Sequence, residues 1–76
     1  MAAAQVLEPI AVVQEIGEIA GQVWRELSAN GPQTLTTLQK RTGISAMTLH
    51  LALGWLAREA KIELAPAGKS FSVRLK

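Results

Sequence analysis

His50 is the single histidine of a 76-residue chain that holds no cysteine and no aspartate. A catalytic imidazole needs a group that orients it or answers its charge. The nearest acids along the chain are Glu59 and Glu63, nine and thirteen residues away. A lone histidine of this kind is more often solvated or hydrogen-bonded than catalytic. There is no Cys/His cluster of metal-ligand spacing, and without cysteine there is no thiolate or disulfide chemistry. Gly17 and Gly21 make a Gly-x-x-x-Gly pattern. In this context it is neither a phosphate loop nor a membrane motif, and it reads as a packing notch. The sequence therefore points away from an enzyme and calls for no metal and no cofactor. The chemistry that remains is that of charge and of apolar surface.

The net charge of +2 is small, but its distribution is uneven. Residues 1–39 carry Arg25 against Glu8, Glu15, Glu18 and Glu26, a net −3. Residues 40–76 carry Lys40, Arg41, Arg58, Lys61, Lys69, Arg74 and Lys76 against Glu59 and Glu63, a net +5. An acidic half joined to a basic half suggests a one-sided positive surface. An ordinary solvated surface accounts for it about as well.

The elements that must carry these residues can be read from the hydrophobic periods. Ser45–Ile62 is the central stretch. Ser45 is a good N-cap, and Leu49, Ala52, Leu53, Leu56 and Ala60 recur at helical spacing as a core-facing stripe. Met47, Leu51 and Trp55 make a second apolar row beside it. A helix apolar over most of its girth is usually covered on more than one side.

Residues 1–13 show no clear period and read as an N-terminal arm. Residues 14–30 read as the first helix, with Ile16, Ile19, Ala20, Val23, Trp24 and Leu27 on one stripe. Trp24 is assigned to the core, and Glu15 and Glu18 are placed near the positive end of the helix dipole. Gly17 and Gly21 cost this helix about 1 kcal/mol each relative to alanine. That cost suggests a close neighbour, either another helix of the chain or a symmetry mate. Gly31 suits a left-handed C-cap and Pro32 ends the helix.

Thr34 and Leu35 suit a very short strand. Thr36 is the expected cap of a second helix over 37–42, closed by Gly43. The turn at Gly43 leads to the third helix, expected over 46–60. Gln39 stands where such a motif favours a small residue. From Lys61 the period falls to two, so residues 61–75 read as a β-hairpin whose apolar face covers the helices. Pro66 suits the second position of a type I turn and Gly68 the fourth.

A chain of this length forms one small domain and buries only about 60% of its unfolded surface, so its stability is marginal unless it associates. No apolar stretch is long enough to span a bilayer. Residues 1–13 lack the positive start of a signal peptide, and Glu8 and Pro9 interrupt their apolar run. These features fit a soluble cytoplasmic protein.

IGEIAGQVWREL at Ile16–Leu27 and ALGWLAREAKI at Ala52–Ile62, with Gly31-Pro32 between them, resemble one small family of stand-alone bacterial and archaeal winged helix-turn-helix proteins. The resemblance covers about residues 15–76 and implies an α+β fold, three helices packed against a two-stranded C-terminal wing. That family carries no assigned biochemical role.

Such a fold implies double-stranded DNA as the default partner, with the third helix in the major groove. Ser45, Thr48 and His50 would then be the polar groups near base edges. Lys40, Arg41, Lys69 and Arg74 are the candidates for phosphate contact. The third helix holds no Arg, Lys, Asn or Gln before Arg58, and those side chains read bases best. Weak sequence specificity is therefore expected. The competing reading is a protein-interaction module that uses Met47, Leu51 and Trp55, since an exposed apolar row marks an interface; Trp55 folded under the wing or against the N-terminal arm accounts for the row about as well. The short chain, the apolar third helix and the Gly17–Gly21 notch together lead us to expect a homodimer.

Overall fold

Six elements follow one another over residues 9–76, the part of the chain described by this computed structural model. They are α1 (Pro9–Asn30), β1 (Gln33–Thr34), α2 (Leu35–Thr42), α3 (Ala46–Arg58), β2 (Ile62–Ala67) and β3 (Ser70–Leu75). The strands make one antiparallel sheet in the order β1-β3-β2. Three helices and a C-terminal antiparallel hairpin are what the change of hydrophobic period requires.

Helix α1 begins five residues earlier than Gln14, so residues 9–13 are helical and not part of an arm. Pro9 stands at the first helical position, where its missing N–H costs nothing and its fixed φ suits the helix. No glycine or further proline interrupts the next seven residues. The remainder of the expected arm, residues 1–8, lies outside the described residues. The early start also changes the role of Glu15 and Glu18. The first turn contains no acid, and these two lie too far along the helix to act on its dipole.

The ends of the other helices follow local chemistry. Gly31 takes φ 81°, and its N–H donates to the Leu27 carbonyl at 2.8 Å. The cap of α2 is Thr34, not Thr36. Its Oγ1 accepts the Thr37 N–H at 3.2 Å while its backbone pairs with Ser72 of β3. One residue thus closes the sheet edge and opens the helix. Gly43 caps α2 at its other end with φ 73°.

Helix α3 ends at Arg58, and Ala60 is not on its core stripe. Ala60 has φ 59° and is the one non-glycine residue of positive φ among those described. Its N–H donates to the Ala57 carbonyl at 3.0 Å, and the Lys61 N–H donates to the Leu56 carbonyl at 2.9 Å. This pair of bonds is a Schellman cap with alanine where glycine is usual. The left-handed region costs an L-residue roughly 1–2 kcal/mol, offset in part by the unfolded-state entropy of glycine. Ala60→Gly should therefore stabilise the domain by about 0.5–1 kcal/mol. That is a rise of several degrees in a thermal melt of so small a domain. An unchanged or lowered midpoint would contradict the strained cap.

The core gathers Ala20, Val23 and Leu27 of α1, Leu38 of α2, and Leu49, Ala52, Leu53 and Leu56 of α3, with Ile44, Ile62 and Val73. Trp24 does not join it and is 41% exposed. It stands on the shoulder of the α1 stripe, where the bulky indole reaches the rim between α1 and α3. The wing covers the helices only with its root. Ile62 and Val73 are buried, whereas Leu64 and Phe71 of the same face are exposed. The pairing of Pro66 with Phe71 and Ala67 with Ser70 also moves the turn. The loop is Gly68-Lys69 alone, with Gly68 at φ 62°. A positive φ at the first loop position only is the type II′ pattern, which matches strand twist. Pro66 lies in β2, an edge strand, where a missing N–H is tolerated.

Candidate nucleic-acid interface

The polar candidates assemble around the turn between α2 and α3. Ser45 adopts φ −63°, ψ 155°. Its Oγ accepts the Thr48 N–H at 3.4 Å and donates to Thr48 Oγ1 at 3.0 Å. Both hydroxyls therefore spend part of their capacity on starting α3, and only the Thr48 hydroxyl proton is left to donate outward. His50 is exposed, and its Nδ1 lies 2.7 Å from the Ala46 carbonyl oxygen. A carbonyl can only accept, so Nδ1 carries the proton. In the neutral ring Nε2 is then an outward-facing acceptor.

Thr42 was not singled out by the sequence, yet it holds the turn. Its hydroxyl donates to the Leu38 carbonyl at 2.7 Å and accepts the Ile44 N–H at 3.3 Å. A threonine directly before a C-capping glycine was the signal. Gln39 is exposed, so it obstructs no close approach of α2 to α3.

The four candidate phosphate ligands differ in availability. Lys40 on α2 and Lys69 at the wing tip are exposed and form no ion pair among the described residues. Arg41 lies 3.8 Å from Glu26 of α1 but keeps about half of its side chain in solvent. Arg74 is the least available. It faces Glu63 across the β2–β3 pair, with Nε and a terminal nitrogen 2.7 Å and 2.6 Å from the same carboxylate oxygen. A close, two-pronged pair of this kind holds both partners. The pair ties the wing strands together, although the Arg74 side chain stays 64% exposed, and its contact with DNA remains a proposal.

Glu26 is a second residue that the sequence did not reveal. Its Oε2 accepts from Asn30 Nδ2 at 2.8 Å and from Gln33 Nε2 at 3.1 Å, besides drawing in Arg41. One carboxylate thus links the end of α1, the start of β1 and α2. Nothing in the spacing of Glu26, Gln33 and Arg41 announces this meeting.

The apolar row on α3 divides in two. Met47 is 76% exposed and Leu51 49%. Trp55 turns inward and packs against the core. A Cβ placed on Gly17 would stand 3.7 Å from the Trp55 ring, and one on Gly21 3.5 Å from the Arg25 guanidinium. The Trp55 ring thus passes beside Gly17 within one chain. Beyond that contact Gly17, Gly21 and Trp55 border an open space between α1 and α3, and their part in a dimer interface remains a proposal. Met47 and Leu51 remain as the open pair.

Among the described residues no group of three or more His, Asp or Glu side chains could hold a metal ion. No described helix is long and apolar enough to cross a membrane.

A helix, a short strand, a second helix joined by a tight turn to a third, and a two-stranded hairpin closing the sheet define a winged helix-turn-helix domain. Residues 12–75 match the model of a family described as "Winged helix-turn-helix domain (DUF2582)", and the chain belongs to that family. It is also similar to an archaeal protein, "Uncharacterized protein MJ1608" of Methanocaldococcus jannaschii. The two are 34% identical over 65 residues, spanning 82% of this chain and 91% of that protein.

Proposed function

We propose that this domain is a non-catalytic module that associates with double-stranded DNA chiefly through phosphate contacts and reads its sequence weakly. One observation carries the proposal. Lys40 on α2 and Lys69 on the wing tip, which form no ion pair among the described residues, and Arg41 beside Lys40 stand on the segments that flank α3 in the chain. α3 itself presents Met47, Leu51 and the His50 ring outward in place of base-reading groups. Phosphate contacts fix position without carrying sequence information, and the side chains that discriminate bases are missing from the helix that would meet them. Placement of a regulatory domain of this kind in transcription follows from the same reading.

Titrating two duplexes of equal length and unrelated sequence tests it. The two dissociation constants should agree within about threefold, since each good base contact contributes roughly 1–3 kcal/mol of discrimination and none is provided here. A hundredfold preference for one duplex would overturn the proposal.

The exposure of Met47 and Leu51 favours a second reading. Together they form an apolar strip on the open side of α3, and such strips are favoured at the centre of protein interfaces. In that reading the domain forms a homodimer through α3, and the dimer hides the helix from the major groove.

A further inference from the structure

Between α1 and α3 lies an open cleft of about 340 Å³, on the rim away from the helix-turn. Its walls include the indoles of Trp24 and Trp55, and Gly17 and Gly21 border it on α1. Two glycines in the middle of a helix are a helix-weakening choice, and here they keep the groove from being filled by side chains. Trp24 is an exposed indole facing a groove, when a tryptophan of this domain could have been used in the core.

The charges in the cleft do not balance. Lys61 is answered by Glu59 at 3.7 Å. Arg25 forms no ion pair among the described residues, and its guanidinium folds back over Gly21 into the cleft. The site therefore offers two aromatic walls and one uncompensated planar cation. A guanidinium matches a carboxylate in a two-pronged geometry, and indoles favour flat rings. The volume lies within the range of small-molecule sites, which combine apolar walls with a few placed polar groups.

We infer that this cleft binds a small planar aromatic carboxylate, its ring between the two tryptophans and its carboxylate on Arg25. The site is separate from the DNA-facing residues and lies at the far end of α3, the helix on which they depend.

Both tryptophans of the chain line the cleft, so every indole signal reports on it. The test titrates the full chain with benzoate and follows the two indole N–H resonances and the intrinsic fluorescence. Both resonances should shift together, with a dissociation constant of about 1 mM, the scale expected for so few atoms. Benzamide keeps the ring without the charge, and both it and the Arg25→Gln variant titrated with benzoate should bind about tenfold more weakly. Gly21→Leu improves helix propensity and fills the groove; it should fold and lose binding. The inference is overturned if neither resonance moves at saturating benzoate, or if benzamide or Arg25→Gln binds as tightly as the parent pair. Indole shifts that follow protein concentration without ligand would mean that a second copy occupies the cleft, and that too would overturn it.

Discussion

Neutralising Lys40, Arg41 and Lys69 together, each to Gln, should abolish DNA binding at physiological salt. Non-specific association of a small basic surface has a dissociation constant of roughly 10⁻⁴–10⁻⁶ M under such conditions, and counterion release from phosphates supplies nearly all of it. The three cations are on the elements flanking α3, and all are exposed. Removing them takes away the electrostatic contacts while α3 has no strong base contact to substitute. A loss of at least about 100-fold is expected. The fold should survive, since exposed substitutions away from caps and core usually change stability by no more than about 0.5 kcal/mol. Arg41 alone should matter least of the three, because Glu26 already draws on its charge at 3.8 Å. An anisotropy titration of the triple variant, with a thermal melt as folding control, checks this. Retained tight binding by a folded triple variant would locate the DNA contact elsewhere.

On the second reading, in which α3 pairs with a second copy and not with DNA, Leu51→Glu should convert a dimer to a monomer, with association weakened by about 100-fold or more. The chain is small enough that burying further apolar surface matters to it, and the strip of Met47 and Leu51 is the largest exposed apolar feature on α3. A two-fold interface uses each residue twice. Burying a leucine contributes roughly 1.5–3 kcal/mol, so a symmetric contact loses that amount on both sides and acquires two facing carboxylates. Sedimentation at tens of micromolar should find a dimer for the parent chain and a folded monomer for the variant. A parent chain that is monomeric there, with Leu51→Glu equally folded and soluble, would remove the dimer reading and leave the strip simply exposed.

The contrast between these two experiments follows from what the sequence could and could not express. Period and punctuation determined the elements. The stripe Leu49, Ala52, Leu53 and Leu56 is buried as its spacing requires, Gly31 takes the left-handed conformation expected of it, and Gly43 closes α2 in the same conformation. Boundaries were harder. Pro9 can open a helix as readily as interrupt a run, and Thr34 and Thr36 are equally good caps until the pairing of Thr34 with Ser72 decides between them. Ala60 fits a helical stripe by spacing, and only the backbone shows that it ends the helix instead.

The candidate site was legible as a set of residue types, not as a set of free groups. Arg74 and Glu63 face each other only through the register of the hairpin, so one expected phosphate ligand is held by a carboxylate. Gly17 and Trp55 are far apart in sequence and meet only through the crossing of α1 and α3. Trp24 sits at the edge of its stripe, where a period of 3.6 does not separate core from rim. Long-range meetings of this kind, Glu26 with Gln33 and Arg41 among them, leave no trace in local spacing.

The salt dependence of DNA binding tests the central claim most directly. Each phosphate contact contributes a slope of about −0.9 to the logarithmic plot of affinity against salt, so three cations give about −2.7. Raising salt from about 50 to about 200 mM should then weaken binding roughly 40-fold for any duplex. Tight binding to one sequence with a slope near zero would contradict the account.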